Sequence, residues 1–226
     1  MPRTNLQAKM LRILFRNKVL FSGYLLFLTF SSIPLLVLGK KETHLLFSGL
    51  HTPFLDVLMK LSTWLGDGLF MVLAGIALLF VRMRYGFIVL SSFLASSLIV
   101  QLLKRLVFPG FKRPVAWFQE IGIELYRIGG VEYHSYFSFP SGHSATAFAL
   151  FFGLAFMVKT EASKILFLFL AILTGFSRVY LSQHFLGDVL AGSMLGILIA
   201  LLAHALFVSC KREWMDKGAI NLLSKK

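Results

Sequence analysis

Residues 19–38 run for 20 positions without a single charged side chain, and comparable apolar stretches follow at 68–81, 86–106, 142–158, 165–181 and 187–208. A helix needs about 20 mostly apolar residues to cross the hydrocarbon layer of a bilayer. Only structures that satisfy their own backbone hydrogen bonds survive there. Composition agrees, since 57% of the chain is hydrophobic and 15% is charged, whereas a soluble domain carries about 25% charged residues. The pattern predicts an all-α, polytopic membrane protein with six transmembrane helices in one membrane-embedded domain, residues 1–226. The 68–81 stretch is short for a span unless it begins further back, near Leu61.

Between the first two spans, Leu45, Leu46, Phe47, Leu50, Phe54, Leu55 and Leu58 alternate with His44, His51, Asp56 and Lys60. That mixture over 44–63 suits a helix lying in the membrane interface. The basic segment ahead of residue 19 carries Arg3, Lys9, Arg12, Arg16 and Lys18. The apolar run behind it exceeds a secretory h-region of about 7–15 residues and lacks a small-x-small cleavage site, so it reads as a retained span. With the N-terminus inside, Arg3, Lys9, Arg12, Arg16, Lys18, Arg82, Arg84, Lys159, Lys164, Lys211, Arg212, Lys217, Lys225 and Lys226 face the cytoplasm, 14 of the 23 Lys and Arg. That bias places both tails, 1–18 and 209–226, in the cytoplasm and the long 107–139 loop on the outer face. The net charge of +13 is read as contact with membrane lipids, not nucleic acid. Cys210 is the single cysteine, which excludes an intramolecular disulfide and reads as packing.

Ionisable side chains gather near the outer ends of the later spans. Lys104 ends the third, Arg113-Pro114 follows in the loop, and Pro140-Ser141-Gly142-His143 opens the fourth. Ser177-Arg178 closes the fifth, and His184 and Asp188 open the sixth. Charge at membrane depth is costly and marks function. Lys104, Arg113 and Arg178 supply three cations, two of them guanidiniums suited to phosphate oxygens. Ser141 reads as an N-cap, with Gly142 letting first-turn N–H groups approach an anion. His184 and Asp188 are four apart, as neighbours on one helical face would be. A carboxylate on one ring nitrogen leaves the other free to attack, and His143 can protonate a leaving oxygen. An anion cradle, a nucleophile and an acid make a set for phosphoryl transfer without a metal or cofactor. Taken singly, each piece has a bland reading: a loop-to-helix junction, a polar pair locking two helices, or snorkelling anchors at Lys104 and Arg105.

At these residues the chain resembles the type 2 phosphatidic acid phosphatase superfamily. That family's signature is Lys-x6-Arg-Pro, then Pro-Ser-Gly-His, then Ser-Arg-x5-His-x3-Asp. The last two blocks match in full at 140–143 and at Ser177-Arg178, His184 and Asp188. The first departs, because eight residues separate Lys104 from Arg113 and Arg105 would still leave seven. Which of the two cations reaches phosphate stays open, with 108–110 as a turn able to take up the extra length. The resemblance implies that His184 is the nucleophile, Asp188 orients it and His143 protonates the leaving group. It also implies that Lys104, Arg113, Ser141, Gly142 and Arg178 hold the phosphate.

An active site at the ends of membrane helices favours a lipid phosphate, whose chains stay in the bilayer. The resemblance offers undecaprenyl diphosphate, phosphatidylglycerol phosphate, phosphatidic acid or lipid A phosphate, at the outer face of a bacterial inner membrane. A soluble phosphate ester and a protein that binds or transports phosphate lipids without hydrolysis are the alternatives. Gly192 and Gly196 form a small-xxx-small pattern expected to pack helices within a monomer, with a homodimer face as the alternative. His204 is expected to hydrogen-bond a neighbouring helix. Trp117, Phe118, Tyr126, Tyr133 and Tyr136 in the loop suit the membrane interface, and the loop is expected to shape lipid access.

Overall fold

Short polar caps and glycines divide the apolar sequence into helices. The computed structural model describes residues 6–210 and 212–220. Arg3, Lys211, Lys225 and Lys226 of the charge argument, with the outermost parts of both tails, lie outside the described residues. The elements are α1 Leu6–Arg16, α2 Lys18–Val37, α3 Gly39–Ser48, α4 Pro53–Thr63, α5 Gly68–Val81, α6 Met83–Leu102, α7 Pro114–Glu120, α8 Gly142–Met157, α9 Glu161–Tyr180 and α10 Leu186–Val208. No strand occurs among the described residues. Thr52 starts α4 by accepting the Leu55 N–H at 3.2 Å, with Pro53 in the first turn. Asp67 caps α5 through the Leu69 N–H at 2.8 Å, and Thr160 caps α9. These are the orphan-donor partners that a helix start requires.

Among the described residues, four helices are long and apolar enough to cross a membrane: α2, α6 with its continuation to Val107, α9 and α10. Pro53–Gly66 and Gly68–Val81 reach that standard together, bent by 56°. The short 68–81 stretch therefore extends backward through a tight turn at Trp64–Gly66 into α4. The 44–63 segment is two helices, α3 and α4, broken at Gly49. His44, expected on a wet face, is instead buried between Phe118 and Phe185, with Nε2 3.1 Å from Ser182 Oγ. The cause is that the long loop folds over α3. Phe118, expected at the interface, becomes part of the core.

The 16-residue α8 is the central post, with 12 of its residues buried. Small side chains let α10 lie directly against it. A Cβ on Gly192 would stand 2.4 Å from the Ser141 carbonyl oxygen, and one on Gly196 would stand 2.3 Å from that of Ala145. This small-residue face is spent inside the chain. Phe148, Phe152 and Phe156 fill the other side with Leu20, Tyr24 and Leu168. Outermost α2 turns Leu25, Phe30 and Leu36 outward, the last 83% exposed, as a lipid-facing helix does.

Both tails dock on the bundle where they are described. Met10, Ile13 and Leu14 of α1 pack on the core. Arg84 forms a two-pronged pair with Asp216, at 2.9 and 2.8 Å, and also donates to the Phe207 and Cys210 carbonyls at the end of α10. Such a forked ion pair is the strong kind.

Candidate active site

Where α9 ends, the chain reverses through Ser182, which has a left-handed backbone (φ +50°). The Arg178 carbonyl accepts N–H groups from both Gln183 and His184, at 2.9 and 3.1 Å. That wrap seats Gln183 and His184 over the Arg178 turn and explains why five residues separate arginine from histidine. His184 and Asp188 do not share a helical face as their spacing suggested. His184 precedes the start of α10, and Asp188 reaches back from the first turn, its Oδ2 accepting the Phe185 N–H at 3.0 Å.

The same Oδ2 accepts Ser138 Oγ at 2.5 Å, and the Asp188 carbonyl accepts the Ser141 N–H at 3.0 Å. Asp188 thus ties the starts of α8 and α10 together. His184 Nδ1 stands 3.4 Å from Asp188 Oδ2, close enough for an ion pair, yet makes no hydrogen bond. Its other nitrogen, Nε2, is left for the cavity that His184 lines.

That cavity, about 550 Å³, is lined by Lys104, Arg113, Gly142, His143, Arg178 and His184, six of the eight residues singled out in the sequence. Ser141 and Asp188 lie behind its wall. Ser141 is fully buried, and its Oγ is engaged by the Ser144 N–H and hydroxyl as the cap of α8. Lys104 and Arg105 part company. The end of α6 widens into a π-helical turn, Leu103–Val107, closed by the Phe108 N–H on the Leu103 carbonyl at 2.8 Å. A π turn seats one extra residue, and a turn at Pro109-Gly110 follows. Lys104 is buried toward the cavity, while exposed Arg105 faces a neighbouring cleft.

Three neutral or acidic partners carried no motif signal. Gln183 Oε1 accepts from Arg113 Nη1 at 2.9 Å and from Arg178 Nη2 at 3.4 Å, while its Nε2 donates to the Glu132 carbonyl at 2.8 Å. Thr63 Oγ1 accepts from Arg178 Nη1 at 2.6 Å, leaving the buried Arg178 Nε without a partner. Asp67 Oδ2 lies 4.0 Å from His143 Nε2. The α4–α5 bend holds that carboxylate there. A Cβ on Gly66 would stand 2.7 Å from the His143 carbonyl oxygen, and Thr146 Oγ1 donates to the Gly66 carbonyl.

Burial holds His184 well below the ordinary imidazole value of 6.5, and the Arg113, Arg178 and Lys104 charges push the same way. A neutral imidazole is the form that can attack. Burial likewise lowers Arg113, with Asp188 pulling in the opposite direction. From the loop, Gly130, Val131, Glu132 and His134 line the cavity; Trp117 does not, packing instead against Phe185 and Lys40. Tyr126 lies against His51, and the Tyr133 hydroxyl accepts the Ile128 N–H.

Comparison with known proteins agrees with this geometry. The profile of the PAP2 superfamily matches residues 85–212. Phosphatidylglycerophosphatase B of Bacillus subtilis is 30% identical over 177 residues, covering 72% of this chain and 80% of that protein. A lipid A 1-phosphatase of Rhizobium johnstonii is 36% identical over 116 residues, 51% of this chain and 45% of that protein. The crystal structure of a transmembrane PAP2-type phosphatidylglycerolphosphate phosphatase from Bacillus subtilis superposes with a TM-score of 0.60 at 27% identity, over 88% of this chain and 99% of that one. Aquifex aeolicus LpxE shares the fold, with a TM-score of 0.62 at 23% identity over 73% of this chain and 93% of that one. The profile covers more than half of the chain, including every residue that lines the cavity from α6 onward, and on that ground the chain belongs to the PAP2 superfamily and is an integral membrane phosphatase.

Proposed function

We propose that this phosphatase removes a phosphate from a lipid phosphate or diphosphate through a phosphohistidine, without a metal or cofactor. The observation that carries the reading is one cavity lined by His143 from the start of α8, His184 from the α9–α10 turn, and the three cations Lys104, Arg113 and Arg178. Lys104, Arg113, Arg178 and the backbone at Gly142 hold the phosphate, with the unpartnered Arg178 Nε free for one oxygen. Ser141 contributes through the backbone, as the cap that fixes the first turn of α8. His184 Nε2 attacks phosphorus while Asp188 steadies the ring from the Nδ1 side. As the P–N bond forms, the P–O bond to the lipid breaks, and protonated His143 gives its proton to the departing oxygen. Neutral His143 then takes a proton from water, whose oxygen attacks phosphorus, and the P–N bond breaks to release orthophosphate. Asp67 Oδ2, 4.0 Å from His143 Nε2, faces the ring that carries this proton.

In the membrane, α2, the bent α4–α5 pair, α6, α8, α9 and α10 would make six crossings. The α8 helix rises only about 24 Å at 1.5 Å per residue, but it lies inside the bundle and need not match the lipid. The positive bias of the α1 end supports cytoplasmic termini, with the cavity at the outer face of a bacterial inner membrane. The chain would work as a monomer or homodimer. Undecaprenyl diphosphate, phosphatidylglycerol phosphate, phosphatidic acid and lipid A phosphate are the candidate substrates, and similarity to named phosphatases of two of these lipid classes supports the choice of lipids.

The test is orthophosphate release by purified protein in excess EDTA, on those four lipids and one soluble ester, with His184→Ala as control. Release from a lipid that survives EDTA and disappears in the variant is the expected result. Release only from the soluble ester would remove the lipid assignment, and loss with EDTA would remove the metal-free mechanism.

A further inference from the structure

A second cavity, about 270 Å³, lies at the far end of α8 and α10 from the two catalytic histidines. Lys9, Arg12 and Arg16 line it from one face of α1, and Asn17, Phe156 and His204 complete much of its wall. Among the described residues, no carboxylate lines it. Asn17 and His204 are 1% and 8% exposed. Asn17 Nδ2 donates to the Ile13 carbonyl at 2.8 Å, but its Oδ1 has no partner, and neither has His204 Nδ1. His204 does not find the helix-to-helix hydrogen bond its sequence position suggested; it packs edge-on against Phe156 instead. Buried polar atoms are nearly always paired, and two orphans in one cationic cavity suit a ligand with both acceptor and donor oxygens.

We propose that this cavity binds the phosphate headgroup of an anionic, hydroxyl-bearing phospholipid from the leaflet opposite the catalytic cavity. Lys9, Arg12 and Arg16 meet the phosphate oxygens, His204 Nδ1–H donates to another, and Asn17 Oδ1 accepts from a headgroup hydroxyl. Arg16 reaches into place because its Nη2 donates to the Phe156 carbonyl at 3.2 Å. A lipid suits the surroundings better than free phosphate. Phe15 is 77% exposed beside the cationic face of α1, and Leu11 and Val208 are also exposed, so acyl chains have apolar surface to cover. None of these residues takes part in phosphate release, so the site is independent of the reaction proposed above.

Native mass spectrometry of full-length Arg178→Ala protein tests it, because the weakened catalytic cradle leaves the second cavity as the main phosphate site. Delipidated protein is offered phosphatidylglycerol or phosphatidylcholine, each with and without an equimolar amount of inorganic phosphate. Phosphatidylglycerol should be retained about tenfold more than phosphatidylcholine, and Lys9→Gln with Arg12→Gln should abolish that preference, because both cations that attract the anionic headgroup are removed. His204→Leu should lower retention while leaving the charges intact. In a background with Arg178 restored, the Lys9→Gln/Arg12→Gln protein should release phosphate at the parent rate, which separates loss of the site from misfolding. Equal retention of the two lipids, or unchanged retention in the double variant, overturns the proposal. Displacement by inorganic phosphate overturns the lipid and makes the ligand a free anion.

Discussion

Gln183 has no charge, yet the guanidinium groups of Arg113 and Arg178 both donate to its single oxygen. A neutral acceptor gathers two cations without cancelling them, which an aspartate there would do. Gln183→Leu removes that acceptor and leaves both guanidiniums to separate. A hydrogen bond to a charged group is worth about 1.5–3 kcal/mol, so KM should rise roughly tenfold or more while kcat changes less, as steady-state kinetics would show. His184 supplies the pH dependence. Its burial keeps it neutral well below the ordinary value of 6.5, so activity gained on deprotonation is already present at neutral pH and is lost only as pH falls through the depressed value. The acid limb of kcat/KM should therefore have its midpoint below 6.5 and be set by His184; a midpoint at or above that value would contradict its proposed role as a buried nucleophile. The charged members of the cavity were legible in the sequence because ionisable groups are costly beside apolar runs. Gln183, Thr63 and Ser138 were not, since neutral polar side chains at helix ends look the same whether they serve a cap or a site.

Glycines decide how closely the helices approach one another, and their consequences differ in sign. Gly196 of α10 faces the backbone of α8, where a Cβ would meet the Ala145 oxygen at 2.3 Å and the Ala149 nitrogen at 3.0 Å. Gly153 of α8 has nothing within 4 Å of the same position. Gly196→Ala should therefore destabilise the bundle by about 1–3 kcal/mol, the range for overpacking. Gly153→Ala should stabilise it by up to about 1 kcal/mol through helix propensity. Thermal unfolding of the two variants in detergent should show midpoints moved to opposite sides of the parent; movement in the same direction would mean that the α8–α10 spacing is not set by this contact. The spacing of Gly192 and Gly196 announced a close helix contact but not its partner. The bend after Gly66 was hidden for a related reason. Residues 53–66 hold enough polar side chains to read as a surface helix, and neighbours distant in sequence turn them inward, Tyr180 and Leu181 against Met59 and His143 against Gly66. The widened turn at Leu103–Val107 was equally silent, because its sequence is ordinary helix.

At the scale of the whole molecule, apolar periodicity and charge gave the helical, membrane-embedded class, whereas the packing order around α8 depended on long-range contacts that no local pattern encodes. The molecule places cations at both ends of the same two helices, with the candidate active-site cavity at one end and α1 at the other. At the catalytic end, Lys104, Arg113 and Arg178 face one another, and Asp188 lies behind the wall with its Oδ2 already engaged by Ser138 and Phe185. Like charges held together in a low-dielectric cleft repel, and a bound oxyanion offsets that repulsion. Orthophosphate relieves it as well as substrate does, without needing a lipid tail to hold it in place. Free orthophosphate should therefore compete with substrate for the same three cations, and added phosphate should slow release in an initial-rate assay.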